Sequence, residues 1–205
     1  MRLAVGEVID MEKVVAIVIV GNGKYDVEYV LKPLTMKLNG HDKILLLPQI
    51  RLKEFAGKPI GGIGLRKAVE AASTVIGKFR KDVIIVVDLE HVQNEDIKQI
   101  LKEFFEVEKF NIVEKVFEAR VRRGPYEANL FIVCMGCLEK PSIECNEAIL
   151  IRGVLNVNVK ADKKAIRKVL KDHGFRLSDL IIKAEMNILN TAFGNAIYVL
   201  NRFDS

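Results

Sequence analysis

Two kinds of apolar pattern alternate along the middle of this chain. "VVAIVIV" (14–20), "KILLL" (43–47) and "DVIIVVD" (82–88) are nearly continuous apolar runs of strand length. Such runs predict strands covered on both faces, since a half-solvated strand would alternate with polar residues. Between the last two, Leu65, Ala68, Val69, Ala72, Val75, Ile76 and Phe79 recur at spacings of three and four. That period predicts an amphipathic helix over 65–79. Ile97, Ile100, Leu101 and Phe104 repeat the pattern, predicting a helix over 94–105 with Asn94 as its cap. Strand, helix, strand, helix over 43–105 favours parallel strands joined by right-handed crossovers.

The ends of the chain follow other rules. Residues 2–9 and 14–20 flank the polar "DMEK", "GNGK" follows as a hairpin-type turn, and 25–31 predicts a third strand ended by Pro33. This is an antiparallel opening. "FNIVEKVFEARV" and "EANLFIVCM" predict a long hairpin around "RRGPY". Beyond 138 the pattern turns helical, over 142–152 and 162–172, the second capped by Asp162 and stopped at Gly174. Ser178 is placed to cap a third helix, and "NAIYVL" predicts a returning strand. The expected fold is α/β: a mixed sheet with parallel central strands and antiparallel N-terminal strands, plus a C-terminal α-rich extension. The division falls between 1–137 and 138–205.

Composition narrows the class. The 205 residues are 50% hydrophobic and 29% charged, which suits a packed core and excludes a disordered chain. No apolar run nears the roughly 20 residues that span a bilayer, and the opening residues lack a signal-peptide core, so no membrane partner and a cytoplasmic location are expected. Absent tryptophan, scarce glutamine and abundant Lys, Glu, Ile and Val lean toward a heat-adapted source. A net charge of +5 is compatible with a polyanionic partner and equally with an ordinary solvated surface.

Candidate chemistry gathers at two places. "GKPIGGIGLRK" puts Gly61, Gly62 and Gly64 just before a helix, with Lys58, Arg66 and Lys67 around them. Free amides at a helix start, glycines that admit a ligand to the backbone, and three cations suit a phosphate. The run matches neither the Walker loop nor the dinucleotide fingerprint, and glycines for close strand–helix packing explain it equally. At the end of the 82–88 strand, "VVDLEHV" sets Asp88 and Glu90 two residues apart, on one face if the chain stays extended. Two carboxylates at a central strand's carboxyl end suit Mg²⁺, or acid–base work. The plain alternative is a turn-capping Asp88 and a solvated Glu90.

Together, the buried strand, the glycine turn into a helix, and the strand ending in acid-x-acid resemble the TOPRIM domain of topoisomerases, primases and related nucleases. The resemblance covers about 43–105. It implies Mg²⁺ held by Asp88 and Glu90, which would then be catalytic. The family's glutamate after the first strand is missing, since "KILLL" runs into "PQIRLKE".

Other features carry less. Arg120, Arg122 and Arg123 beside Tyr126 form a basic hairpin tip, able to clamp a nucleic-acid backbone or simply solvated. The lysine-rich helix 162–172 divides its faces as any surface helix does. Cys134, Cys137 and Cys145 make at most three thiolate ligands, one short of a structural zinc site; a Cys137–Cys145 disulfide is the other use, and in the cytosol it needs a hyperthermophile. The leading expectation is a phosphate- or nucleic-acid-binding protein on a TOPRIM-like core with an incomplete catalytic set. A Mg²⁺-dependent phosphodiester-cleaving enzyme and a homo-oligomeric scaffold are the alternatives.

Overall fold

The computed structural model describes residues 1–5, 9–21, 23–38, 43–48 and 64–203. Among the described residues, seven strands form one sheet, in the order β1 (Arg2–Val5), β3 (Ile44–Leu47), β2 (Val14–Val20), β4 (Asp82–Asp88), β7 (Tyr126–Met135), β6 (Val116–Arg123) and β5 (Glu106–Val113). β1, β2, β3, β4 and β7 run parallel. β5 and β6 complete an antiparallel meander with β7.

The α/β class and the mixed sheet with a parallel centre match the sequence reading, but the antiparallel part is displaced. β1 and β2 do not pair; β3 lies between them, parallel to both. The 25–31 segment is helical, not a strand. It joins α1 (Lys24–Asp26), a π-helical turn (Val27–Leu31) and α2 (Lys32–Lys37). Val27, Val30, Leu31 and Leu34 are buried at helical spacing. Pro33 lacks an N–H and lies in the first turn of α2; the π turn precedes it, with the Lys32 amide bonded back to the Val27 carbonyl.

β4 shows why its apolar run is continuous. Ile84 and Val86 face one apolar layer, with the helical segment 24–37 and the C-terminal helices. Val83, Ile85 and Val87 face the other, with α3 (Gly64–Phe79) and α4 (Ile97–Phe104). α4 is capped by Asp96, whose carboxylate accepts from the Gln99 amide, so Asn94 is not its cap. The run 110–121 is two strands, broken at Glu114, whose φ of 53° makes the turn between β5 and β6.

The C-terminal helices are α5 (Ile143–Leu155), α6 (Lys163–Asp172), α7 (Leu177–Lys183) and α8 (Met186–Asn201). Asp162 caps α6 as expected, accepting from the Lys164 and Ala165 amides, and Gly174 follows at φ 70°. α7 starts two residues earlier than a Ser178 cap implies: Arg176 is its cap, and its amide donates to Asp179. "NAIYVL" lies within α8, where Leu189, Phe193, Ala196, Ile197 and Leu200 are buried at helical spacing. Residues on both sides of 138 share one core: Leu150 and Phe193 pack in the same cluster as Ala16 and Ile84. No helix among the described residues is long and apolar enough to cross a membrane.

Candidate functional site at the carboxyl edge of the parallel strands

The parallel strands end together along one edge of the sheet, where β4 stops at Asp88 and β7 at Met135, its register partner. α3 begins at the same edge. The amide of its first residue, Gly64, donates to the carbonyl of Gly21, just past β2, at 3.4 Å. Gly21 in turn donates to Val86 of β4 at 2.8 Å. Glycine is required there, because a Cβ would meet Val87 Cγ1 at 2.5 Å. Gly64 sits at φ 66°, the left-handed turn that starts the helix.

Of the predicted phosphate ligands, Lys58, Gly61 and Gly62 lie outside the described residues. Arg66 is paired with Glu103 of α4, and Lys67 is exposed on the first turn of α3. Leu65 and Arg66 occupy the first-turn positions of α3, whose amides find no acceptor within the helix itself.

Asp88 and Glu90 play different parts. Asp88 is buried, and its Oδ1 accepts from the Ile143 amide at the start of α5, at 3.0 Å. A carboxylate there answers both the unpaired amides and the positive end of the helix. After Asp88 the chain folds into a 3₁₀ turn (Leu89–His91), so strand alternation stops and Glu90 stands exposed. The Glu90 amide donates to Pro141 at 3.0 Å, a second tie between the β4 and β7 ends. Among the described residues, no group of three or more His, Cys, Asp or Glu is arranged to hold a metal ion.

The arginine hairpin lies at the other end of the sheet. Nine residue steps along β7 separate Tyr126 from Met135, roughly 30 Å at strand rise. Arg120 pairs with Glu108 at 3.4 Å and Glu127 at 2.8 Å; Arg122 pairs with Glu108 at 2.5 Å and Glu127 at 2.7 Å. These two cations hold the Glu127 carboxyl below its usual range through hydrogen bonds. Tyr126 is covered by Arg80, whose guanidinium stacks 4.6 Å above the ring and donates to the phenol oxygen at 3.0 Å. Arg123 is exposed at the tip.

A buried polar group that sequence reasoning missed lies on α5, which starts at the carboxyl edge. Glu147 is 1% exposed, and its Oε1 has no hydrogen-bond partner among the described residues. Burial first, then the carboxylates of Glu144 and Asp26, push its pKa up to about 8, against the pull of Lys163 and the Tyr25 phenol. Tyr25 is raised in turn, by burial and then by Glu147. Tyr29 stacks 4.8 Å from the Tyr25 ring, and Lys163 Nζ lies 5.2 Å over that ring. Nearby, Asn146 accepts from the Gly136 amide and donates to the Ala192 carbonyl, both at 2.6 Å. The signal was present: Ile143, Glu147, Leu150 and Ile151 form one buried stripe, with a carboxylate where an apolar residue belongs.

Of the cysteines, Cys137 and Cys145 form a disulfide, while Cys134 is buried in β7 and its thiol is pushed up to about 12 by desolvation. No protein-family model, curated protein or solved structure matches the chain significantly.

Proposed function

We propose that the protein binds a small phosphate-bearing ligand, of nucleotide type, at the carboxyl edge of its parallel strands. One observation carries this reading. The 16-residue helix α3 starts at that edge against the end of β2, directly after the glycine-rich run and with Lys67 on its first turn. Unpaired amides, the positive helix end and a nearby cation all favour an anion. Open α/β sheets bind ligands at this edge as a general rule. The TOPRIM-like order of β3, α3 and β4 fits the same placement.

Extended nucleic acid is the weaker form of the proposal. Arg120 and Arg122 are already neutralised by Glu108 and Glu127, and lie far from α3 along the sheet. The Mg²⁺ and phosphodiester chemistry expected of Asp88 and Glu90 is not carried forward, because Asp88 already serves the start of α5 and Glu90 is exposed on the 3₁₀ turn, where strand alternation has ended. Titration calorimetry with ATP, inorganic phosphate and a single-stranded oligonucleotide tests the reading. Binding of ATP that weakens in Lys67→Glu and Gly62→Val supports it. Oligonucleotide binding that survives both changes and is lost with Arg123→Ala would overturn it.

A further inference from the structure

The disulfide between Cys137 and Cys145 spans only eight positions of sequence, and other bonds already hold its ends together. The Cys137 amide donates to Lys140 at 3.0 Å, Glu90 to Pro141 at 3.0 Å, and Ile143 to Asp88 at 3.0 Å. Gly136 is fixed to Asn146 at 2.6 Å, and Lys115 Nζ donates to the Gly136 carbonyl at 3.0 Å. A short loop whose ends are fixed independently loses little order when its cross-link opens. On these grounds the fold is expected to survive opening of the bond.

The two sulfurs also differ in access and environment. Cys137 is half-buried on the loop after β7, beside Leu138, which is 82% exposed, so solvent reaches it. Cys145 is 8% exposed and lies in the first turn of the 13-residue helix α5. The positive end of the helix favours a thiolate at Cys145, though the Ile143 and Cys145 amides are already taken by Asp88 and Ser142. In exchange, the accessible sulfur is attacked and the better thiolate leaves.

We propose that Cys137–Cys145 is a thiol–disulfide exchange site whose partner is a dithiol. A thiolate of the dithiol attacks Cys137 Sγ; a new sulfur–sulfur bond forms there, the bond to Cys145 breaks, and its electron pair leaves on Cys145 Sγ. The second thiol of the partner, deprotonated, then attacks its own sulfur in the mixed disulfide and expels Cys137 as thiolate. The protein takes up two electrons and two protons, and the dithiol becomes a disulfide.

Native protein purified under oxidising conditions is treated with dithiothreitol without denaturant, and separately with glutathione followed by rapid acid quench and peptide mass mapping. Expected are two new thiols with dithiothreitol, an unchanged circular dichroism spectrum, and the glutathione adduct on Cys137. The Cys137→Ser/Cys145→Ser protein is expected to fold with the same spectrum. A bond that opens only with denaturant, an adduct on Cys145, two free thiols in the oxidised protein, or a double variant that does not fold would each overturn the proposal.

Discussion

The Asp88 carboxylate accepts the Ile143 amide at 3.0 Å, joining the last residue of the central strand β4 to the first residue of α5 across 55 positions of sequence. This bond ties the start of the C-terminal helices to the sheet, and it gives Asp88 a structural task at the place where a ligand-binding carboxylate was expected. Asp88→Ala is predicted to lower stability by about 1–2 kcal/mol, the usual cost of losing a helix-start acceptor. Asp88→Asn keeps an acceptor oxygen and should lose less. Glu90→Ala, at an exposed position, should stay within about 0.5 kcal/mol of the parent. Urea unfolding of the three variants checks the order.

Glu147 makes stability depend on pH in an unusual direction. Its folded pKa is about 8, above the ordinary 4.5, so the folded state holds the proton more tightly than the unfolded chain. The stabilisation is complete below pH 4.5 and is lost as pH rises toward 8. The unfolding free energy of the parent, measured by urea denaturation, should therefore fall across that window by an amount on the order of a few kcal/mol. Glu147→Gln, which stays neutral, should flatten the profile. A parent profile that rises steadily from pH 5 to 8 would show that Glu147 is not held in its neutral form.

Gly136 stands at φ 106°, and a Cβ there would meet Pro141 C and Ser142 N, both at 2.6 Å. Neither the backbone angle nor the space admits a side chain. Gly136→Ala should destabilise by about 1–3 kcal/mol through strain in the turn from β7 to α5. Gly77→Ala, where a Cβ meets nothing within 4 Å in the helix α3, should be neutral or stabilising. Thermal melts of the two variants are expected to move in different directions.

How much of this was legible in the chain differs from element to element. β3, β4 and α3 were readable because each shows one unmixed period, continuous for the buried strands and 3.6 for the helix. The 24–37 segment was misread because Pro33 was taken as a stop, when the π turn before it carries the helix through. Strand order was not legible: the separation of β1 from β2 by β3 depends on pairings that no local pattern encodes. At the site, the start of α3 at the carboxyl edge of the sheet followed from crossover logic. The roles of Asp88 and Glu147 did not: Asp88 depends on α5, 55 positions away, and Glu147 on Tyr25 and Asp26, from far earlier in the chain.

The arginine hairpin offers a test of electrostatics apart from the ligand. Arg120 and Arg122 share Glu108 and Glu127 in an exposed cross-strand network. Replacing both with alanine should lower stability slightly at low salt, with the difference shrinking as salt screens the network. ATP affinity should not change. A loss of ATP binding in this double variant, checked by calorimetry, would move the ligand to the opposite end of the sheet.

The account turns on where an anion binds, and amide chemical shifts read that directly. Titration of ¹⁵N-labelled protein with ATP is predicted to move the amide resonances of Leu65, Arg66 and Lys67 in a saturable way, with those of Arg122, Arg123 and Tyr126 unmoved. Saturable shifts confined to the hairpin, or no saturable shift at the start of α3, would contradict it.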